Sequence, residues 1–465
     1  MKRDEVLERL YDRYIAPTKR KDGSYIGVEI EMPVINLARK AVDFSVVHDL
    51  TRRFKEEFGF FVSVIDEDRN ACSLLHFGND DILSYDCSYN NLELSFGKER
   101  DLNSVANRFA KYYSFINNTL ARSGHTLSGL GVNPYRAYNH HEPIPNARYR
   151  MLFRHLSSYE RYRPRVPMFF HPYPHYGMFS SASQVQLDVR HDELIGAIRA
   201  FSLLEPLKSV LFSNSVLTGE NDGLLCCRDM FWENSTHGIN PHNIGMFEEI
   251  PGSIGELLDY IASTSIYCTE QGGKYINFEP INIVEYFGRR QVSGEYYDRG
   301  DGRYRDVVFS PKEDDLKYLR TFKFEDLTFR GTIEFRSVCC QPIRDAFTVA
   351  AFHLGLSGQV GRLNEIIDAD GSLYHHGYGA PELRRLFNRR KWPDFISRDA
   401  LRGLLASVLG LAREGLVQRG LGEEKFLEPL FARAEELANP ALKLLAHLES
   451  GGDVEDVIAD FGELG

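Results

Sequence analysis

Read with a period of two, the stretch YIGVEIEMPV (residues 25–34) places Ile26, Val28, Ile30 and Met32 on one face and Gly27, Glu29 and Glu31 on the other. That is the pattern of a half-buried strand. Similar alternation runs through 60–66, 91–96, 182–189 and 330–337. Between these runs the apolar spacing switches to the helical period. MKRDEVLERLYDRYI opens as an amphipathic helix, and SVVHDLTRRFKEEFG and LNSVANRFAKYYSFINNTLARSG predict longer ones, each stopped by a glycine. SLLEPLKSVLFSNS carries helical spacing through Pro206, where a kink or break is expected because proline lacks the amide donor. Strand runs separated by long helix-containing connections predict an α+β domain and not a regular βαβ repeat.

The last part of the chain is different. Leu401, Leu404, Leu405 and Val408 follow helical spacing, Gly420 sits where a helix stops, and Asn439-Pro440 reads as an N-cap followed by a first-turn proline. RRKWPDF interrupts the pattern near 390. The expected organisation is therefore a main domain over 1–390 with a helical C-terminal region, 391–465, packed on it.

With 465 residues, 43% of them apolar, the chain can bury a large core. A formal charge of -11 argues against nonspecific nucleic-acid binding or attachment to an anionic membrane, both of which need a basic footprint. No run has the make-up of a signal peptide or a membrane span, so a cytoplasmic location is expected, with small molecules as partners. Seven cysteines, including the vicinal pairs Cys226-Cys227 and Cys339-Cys340, without a C-x-x-C, suit buried thiols better than a disulfide framework or a zinc site.

The polar faces of four strands share one peculiarity. Glu29 and Glu31, Glu93 in NNLELSF, Gln184, Gln186 and Asp188 in SASQVQLDV, and Glu334 in GTIEFRS are acids and amides, joined by a single arginine, Arg336. An ordinary solvated face mixes charges, because like charges on neighbouring strands repel. If the strands are neighbours in one curved sheet, the four glutamates crowd one concavity, and a hard divalent cation such as Mg²⁺ relieves the repulsion. As independent half-exposed edges, the same glutamates would merely face water.

Together with other segments, these strands resemble the plant and proteobacterial type of glutamate-cysteine ligase, a branch of the glutamine-synthetase-like carboxylate-amine ligases. GVEIEMP resembles that family's first ligand strand, and DCSYNNLELS its acid, spacer and ELS segment, with Asp86 seven residues before Glu93. PIPNARYRMLFRHL resembles its arginine-tyrosine segment, SASQVQLDV its QVNLD strand and GTIEFRS its E-x-R strand. LFSNSVLTGENDGLLCCRDMFW resembles its helix end, glycine turn, and arginine four residues before a tryptophan. The order holds over more than 400 residues, to the tail LAREGLVQRG…NPALKLLAHL.

The resemblance implies a curved, mainly antiparallel sheet forming a funnel-like active site flanked by helices, as in glutamine synthetase and the guanidino kinases. It also implies roles. Glu29, Glu31, Glu93 and Glu334 would hold two or three Mg²⁺ ions that bridge ATP and substrate, Gln184 and Gln186 would complete the shell, and Arg336 would face the transferred phosphoryl group. Arg148 and Arg228, with Tyr149 and Trp232 beside them, would bind glutamate. The implied reaction activates the γ-carboxylate of glutamate as an acyl phosphate and joins it to an amine, most simply cysteine, giving γ-glutamylcysteine for glutathione biosynthesis. A monomer or homodimer is expected.

Gln186 stands where the family has asparagine, and ENSTHGINP departs from the usual acid-arginine continuation, so another amine or another amino-acid donor is the runner-up reading. A guanidino-type phosphotransferase and an inactive relative are weaker alternatives. His171 and His175 do not read as a zinc pair, since Pro172 and Pro174 forbid the helix that would align them. RHLSSYERYRPRVPMFF reads as a lid or wall beside nucleotide or substrate. Neither a P-loop nor a G-x-S-x-G motif is present.

Overall fold

The computed structural model describes residues 1–220 and 223–465. The glycine turn compared above with the family's own includes residues 221 and 222, which lie outside the described residues.

Fifteen strands are formed among the described residues: β1 (Ile26–Asn36), β2 (Phe61–Ile65), β3 (Ala71–Leu75), β4 (Ile82–Tyr85), β5 (Asn91–Glu99), β6 (His125–Leu127), β7 (Ser183–Asp188), β8 (Ile244–Gly245), β9 (Ser265–Gln271), β10 (Lys274–Asn282), β11 (Val292–Asp298), β12 (Arg303–Phe309), β13 (Phe322–Lys323), β14 (Glu325–Leu327) and β15 (Thr332–Phe335). Nine of them make the main sheet, in the order β14-β15-β7-β1-β5-β4-β3-β2, with β6 added to the far end of β1. Every pairing in it is antiparallel. The architecture is α+β, as the alternating patterns predict.

The period-two reading of β1 explains which face is which. Ile26, Val28, Ile30 and Met32 are almost wholly buried. They belong to a core shared with helices Phe44–Phe58, Leu102–Ala121, Leu194–Phe212 and Thr348–Ser357. The opposite face of the sheet carries the glutamates. A second sheet, β12-β11-β10-β9, and a short parallel pair, β13-β8, stand apart from the first. Helix Ala147–Leu156 packs on β10 and β11.

Local signals held at most helix ends. Asp43 accepts from Ser45 N, and Gly59 ends the helix with φ 69°. Asn439 accepts from Leu442 N ahead of Pro440, and Gly420 stops Arg398–Arg419 with φ 72°. The first predicted helix is α-helical only over Arg3–Leu10 and continues as π and 3₁₀ turns to Arg20. Helix Leu102–Ala121 ends at Arg122 in ordinary right-handed conformation, ahead of Gly124.

At Pro206 the expected break does not occur: the helix runs from Leu194 to Phe212 with proline inside it. Fifteen of its residues are buried, so packing on several sides outweighs one missing backbone hydrogen bond. The C-terminal helix Arg398–Arg419 contributes Leu401, Leu405 and Leu416 to the main core. It packs on Thr348–Ser357, which in turn contacts β7 and β1. The tail thus reaches the sheet through a layer of helix.

Candidate active site

The four acid-and-amide strands are consecutive neighbours, β15-β7-β1-β5. Register brings their polar positions together. Glu334 pairs with Gln186, Gln186 with Gly27, Gln184 with Glu29, and Glu31 with Glu93. Because Gly27 has no side chain, the face beside Gln186 stays open; a Cβ there would meet that of Gln186 at 3.4 Å.

The extra methylene of Gln186 acquires a use. Its Nε2 donates to Glu29 Oε1 at 2.9 Å and lies 3.4 Å from Glu334 Oε1, so it bridges strands on either side of its own. Gln184 Nε2 donates to Glu31 Oε1 at 2.8 Å, and the Ala182 amide donates to Glu31 Oε2 at 2.7 Å. Ser95 donates to Glu93 at 2.5 Å. Arg336 Nη2 donates to Glu334 Oε2 at 2.6 Å and Nη1 to Gln184 Oε1 at 3.3 Å.

Two side chains that sequence reasoning missed complete this ring. Asp326, opposite Glu334 on β14, places Oδ2 3.6 Å from Arg336 Nε, close enough for attraction but too far for a hydrogen bond. Arg330 donates to Gln186 Oε1 at 3.0 Å from the exposed rim. Asp326 stands outside the patterned runs, whereas Arg330 begins the 330–337 run in the parity of Glu334, a signal the sequence reading passed over.

Electrostatically, the clustered carboxyls resist ionisation, since Arg336 alone does not balance them. Burial, then Glu334 and Glu93, push the Glu29 carboxyl up to about 8. Burial, then Asp86, push Glu93 up to about 7. Burial and Asp86 also raise Glu31 well above the usual carboxylate range, against the pull of Arg228. Asp86 is itself raised by burial, with Arg148 opposing. Glu31 and Glu93, directly opposite on neighbouring strands, would repel if both were ionised.

Among the described residues, no group of three or more His, Cys, Asp and Glu side chains is gathered as a ready-made metal site. The carboxylates are tied instead to amides and Arg336. The donor chemistry nonetheless fits a hard cation: carboxylate and amide oxygens, without thiolate or imidazole, at positions where positive charge would relieve raised carboxyls.

The expected glutamate-binding residues approach from two other elements. Arg228 is in the first turn of helix Cys227–Glu233 and is buried. Its Nη1 reaches the carbonyls of Ser337 and Val338 at 3.4 and 3.3 Å, and its Nε has no hydrogen-bond partner. No ion pair to Arg228 is formed among the described residues, so the fork can still take a carboxylate. A buried ionic network holds its helix: Arg384 joins Asp229 at 2.7 Å and Glu205 at 2.6 Å, while Lys208 also bonds Glu205.

Arg148 begins helix Ala147–Leu156, capped by Asn146, and is open to solvent. Its guanidinium lies 5.3 Å from the Tyr149 ring, whose hydroxyl donates to the Tyr85 carbonyl at 3.1 Å. Trp232 stacks on Phe322 with ring centroids 4.9 Å apart. The HPYPHYG histidines do not form a pair. His171 Nε2 meets the Phe231 carbonyl at 2.9 Å, whereas the His175 ring lies against His141 at 3.8 Å. Val166, Pro167, Met168 and Phe169, from the segment read as a wall, line a cleft of about 690 Å³ with Cys226, Asp229, Met230 and Glu233 of the Arg228 helix region.

The chain is 26% identical over 291 residues to the tomato (Solanum lycopersicum) chloroplastic glutamate-cysteine ligase, 60% of this chain and 51% of that one. The tobacco (Nicotiana tabacum) enzyme is 25% identical over 60% of this chain and 51% of its own. The chain thus spans about half the length of the curated relatives it matches. Among solved structures, a Francisella tularensis glutamate-cysteine ligase in complex with AMP aligns at 10% identity with TM-score 0.47, covering 95% of this chain and 89% of that one. A profile of glutamate-cysteine ligase family 2 matches residues 25–460, and the chain belongs to that family.

Proposed function

We propose that the protein is an ATP-dependent carbon-nitrogen ligase that activates the γ-carboxylate of glutamate and joins it to the amine of cysteine. One observation carries this reading: in a member of this family, four glutamates and two glutamines from four adjacent strands, with Arg336 just past the last, gather on one face of the main sheet.

An amine does not displace oxide from a carboxylate, so the carboxylate must first become an acyl phosphate. Phosphoryl transfer asks the protein for positioning and for positive charge around the phosphoryl oxygens. Arg336, anchored by Glu334 and Gln184, supplies a fixed cation at the edge of the hollow. Arg228 and Arg148 would receive the α-carboxylate of glutamate, directing its side chain toward the acidic strands. Trp232 and Tyr149 would wall that position.

Glu29, Glu31, Glu93, Glu334 and Gln184 would hold two or three Mg²⁺ ions, with Gln186 bracing Glu29 and Glu334. When bound, the metal neutralises charge on the ATP phosphates and polarises the transferred group. The raised carboxyls of Glu29 and Glu93 would lose their protons on binding it. Cys72, Cys87, Cys226, Cys268, Cys339 and Cys340 stand outside any disulfide, in keeping with a reducing, cytoplasmic setting. No helix among the described residues is long and apolar enough to cross a membrane.

Incubation with ATP, glutamate, Mg²⁺ and a panel of amines tests the reading, with phosphate release and product mass as readouts. Phosphate release dependent on both glutamate and cysteine, with a γ-glutamylcysteine product, is expected, and E334Q should abolish it while the fold persists. ADP without free phosphate would point to a phosphotransferase and overturn the proposal.

A further inference from the structure

Helix Cys227–Glu233 presents two different faces. Cys226, just before it, and Asp229, Met230 and Glu233 follow helical spacing and line the cleft of about 690 Å³. Arg228 and Trp232 fall on the other side of the helix, and none of the four site glutamates lines the cleft. Its volume lies within the roughly 300–1,000 Å³ of small-molecule sites.

The lining is held in place and is largely apolar. Asn234 Nδ2 donates to the Phe169 carbonyl at 3.0 Å, and the Asn234 carbonyl accepts from His171 N at 3.2 Å, which ties the wall segment to the helix. Phe169 is 69% exposed there. Met168, Met230 and Met246, three of the seven methionines in the chain, also line the cleft, and their flexible thioethers suit an apolar body of variable shape.

Charge is distributed unevenly around it. Buried Asp229 accepts from Arg384 and Asn388 at 2.7 and 2.6 Å, so its charge is taken up. Arg385 meets Glu233 through Nε at 3.5 Å, and its two terminal nitrogens donate to nothing among the described residues. Arg389, four residues further on, is exposed and forms no ion pair among the described residues. Glu248, the remaining acid of the lining, stands in water on the loop after Pro241.

We propose that this cleft binds a small amphipathic carboxylate, with its apolar body against the three methionines and Phe169 and its anionic group at Arg385 and Arg389. Two guanidinium forks beside an apolar slot favour an anion that carries a hydrocarbon or aromatic body, since a bare inorganic anion would leave the slot unfilled. The proposal does not rest on the ligase reading.

The test uses the full chain and two fluorescent probes that differ by one group. In 8-anilinonaphthalene-1-sulfonate the sulfonate stands in for the carboxylate; N-phenyl-1-naphthylamine lacks it. Saturable binding of the sulfonate at one site per chain is expected, and its absence overturns the proposal. R389E should weaken the sulfonate about tenfold or more while the uncharged probe changes by less than about twofold. F169E, which puts an acid into the wall, should weaken both. Both residues are exposed, so the fold should persist, with circular dichroism as the check. Decanoate should displace the sulfonate from the parent. Sulfonate binding untouched by R389E, or not displaced by decanoate, overturns the carboxylate assignment, and uncharged-probe binding untouched by F169E overturns the cleft. V64E, on the exposed apolar strand β2, should change neither probe; a loss there places the probes on that edge and overturns the site. Saturating ATP, Mg²⁺ and glutamate should leave both bound, and displacement would place them in the acidic hollow with the same consequence.

Discussion

Replacing Glu29 by glutamine should stabilise the metal-free protein, and increasingly so as pH rises. The Glu29 carboxyl is displaced from 4.5 to about 8. Since the folded value of this acid lies above its unfolded one, the penalty is absent below 4.5, grows between 4.5 and 8, and is complete above 8. At about 1.4 kcal/mol per unit, the proton that folding forces onto Glu29 costs about 4 kcal/mol at pH 7.5 and less than about 1 kcal/mol at pH 5. Glutamine keeps an oxygen for the hydrogen bond from Gln186 but carries no charge to bury. With an unfolding entropy of about 2 cal/mol/K per residue, each kcal/mol moves Tm of a chain this long by about 1 °C. Scanning calorimetry in chelator should therefore give E29Q a Tm about 4 °C above the parent at pH 7.5 and nearly equal to it at pH 5. Added Mg²⁺ should stabilise the parent more than E29Q and narrow the gap at pH 7.5. An equal Tm difference at both pH values, or a less stable E29Q at pH 7.5, would refute the electrostatic argument.

Other expectations follow from the same geometry. R228K replaces a fork by a point charge and should raise KM for glutamate about tenfold or more, with a smaller change in kcat, in initial-rate assays. Q186N cannot span to Glu29 and Glu334, so a magnesium titration of activity should show a half-saturating concentration at least about tenfold higher. K208M leaves Arg384 alone to balance the buried Glu205 and Glu325 and should cost about 3 kcal/mol in urea unfolding. W232A, removing a ring stacked on Phe322, should weaken glutamate binding in calorimetric titration by several-fold.

Much of the site was legible because strand chemistry has period two. Once Ile26, Val28 and Ile30 were assigned to the core, Glu29 and Glu31 had to emerge on the other face, and the same held for Glu93, Gln184, Gln186 and Glu334. Helix ends at Gly59, Gly420 and Asn439 followed from local backbone preference in the same way. The second sheet carried a readable signal that the sequence reading passed over: Gly272-Gly273, both at positive φ, join β9 to β10 as a tight hairpin.

What the sequence by itself determined, then, is the set of acidic strand faces and the helix ends at Gly59, Gly420 and Asn439, since these depend on side-chain alternation and on dihedral preferences of single residues. Only the tertiary structure decided that those faces are adjacent, that Asp326 and Arg330 join them, and that Pro206 is absorbed into a helix. Each of these outcomes depends on which distant segments share a register or a packed core. Long-range packing and loop closure set that choice, and the local pattern of one segment does not contain it.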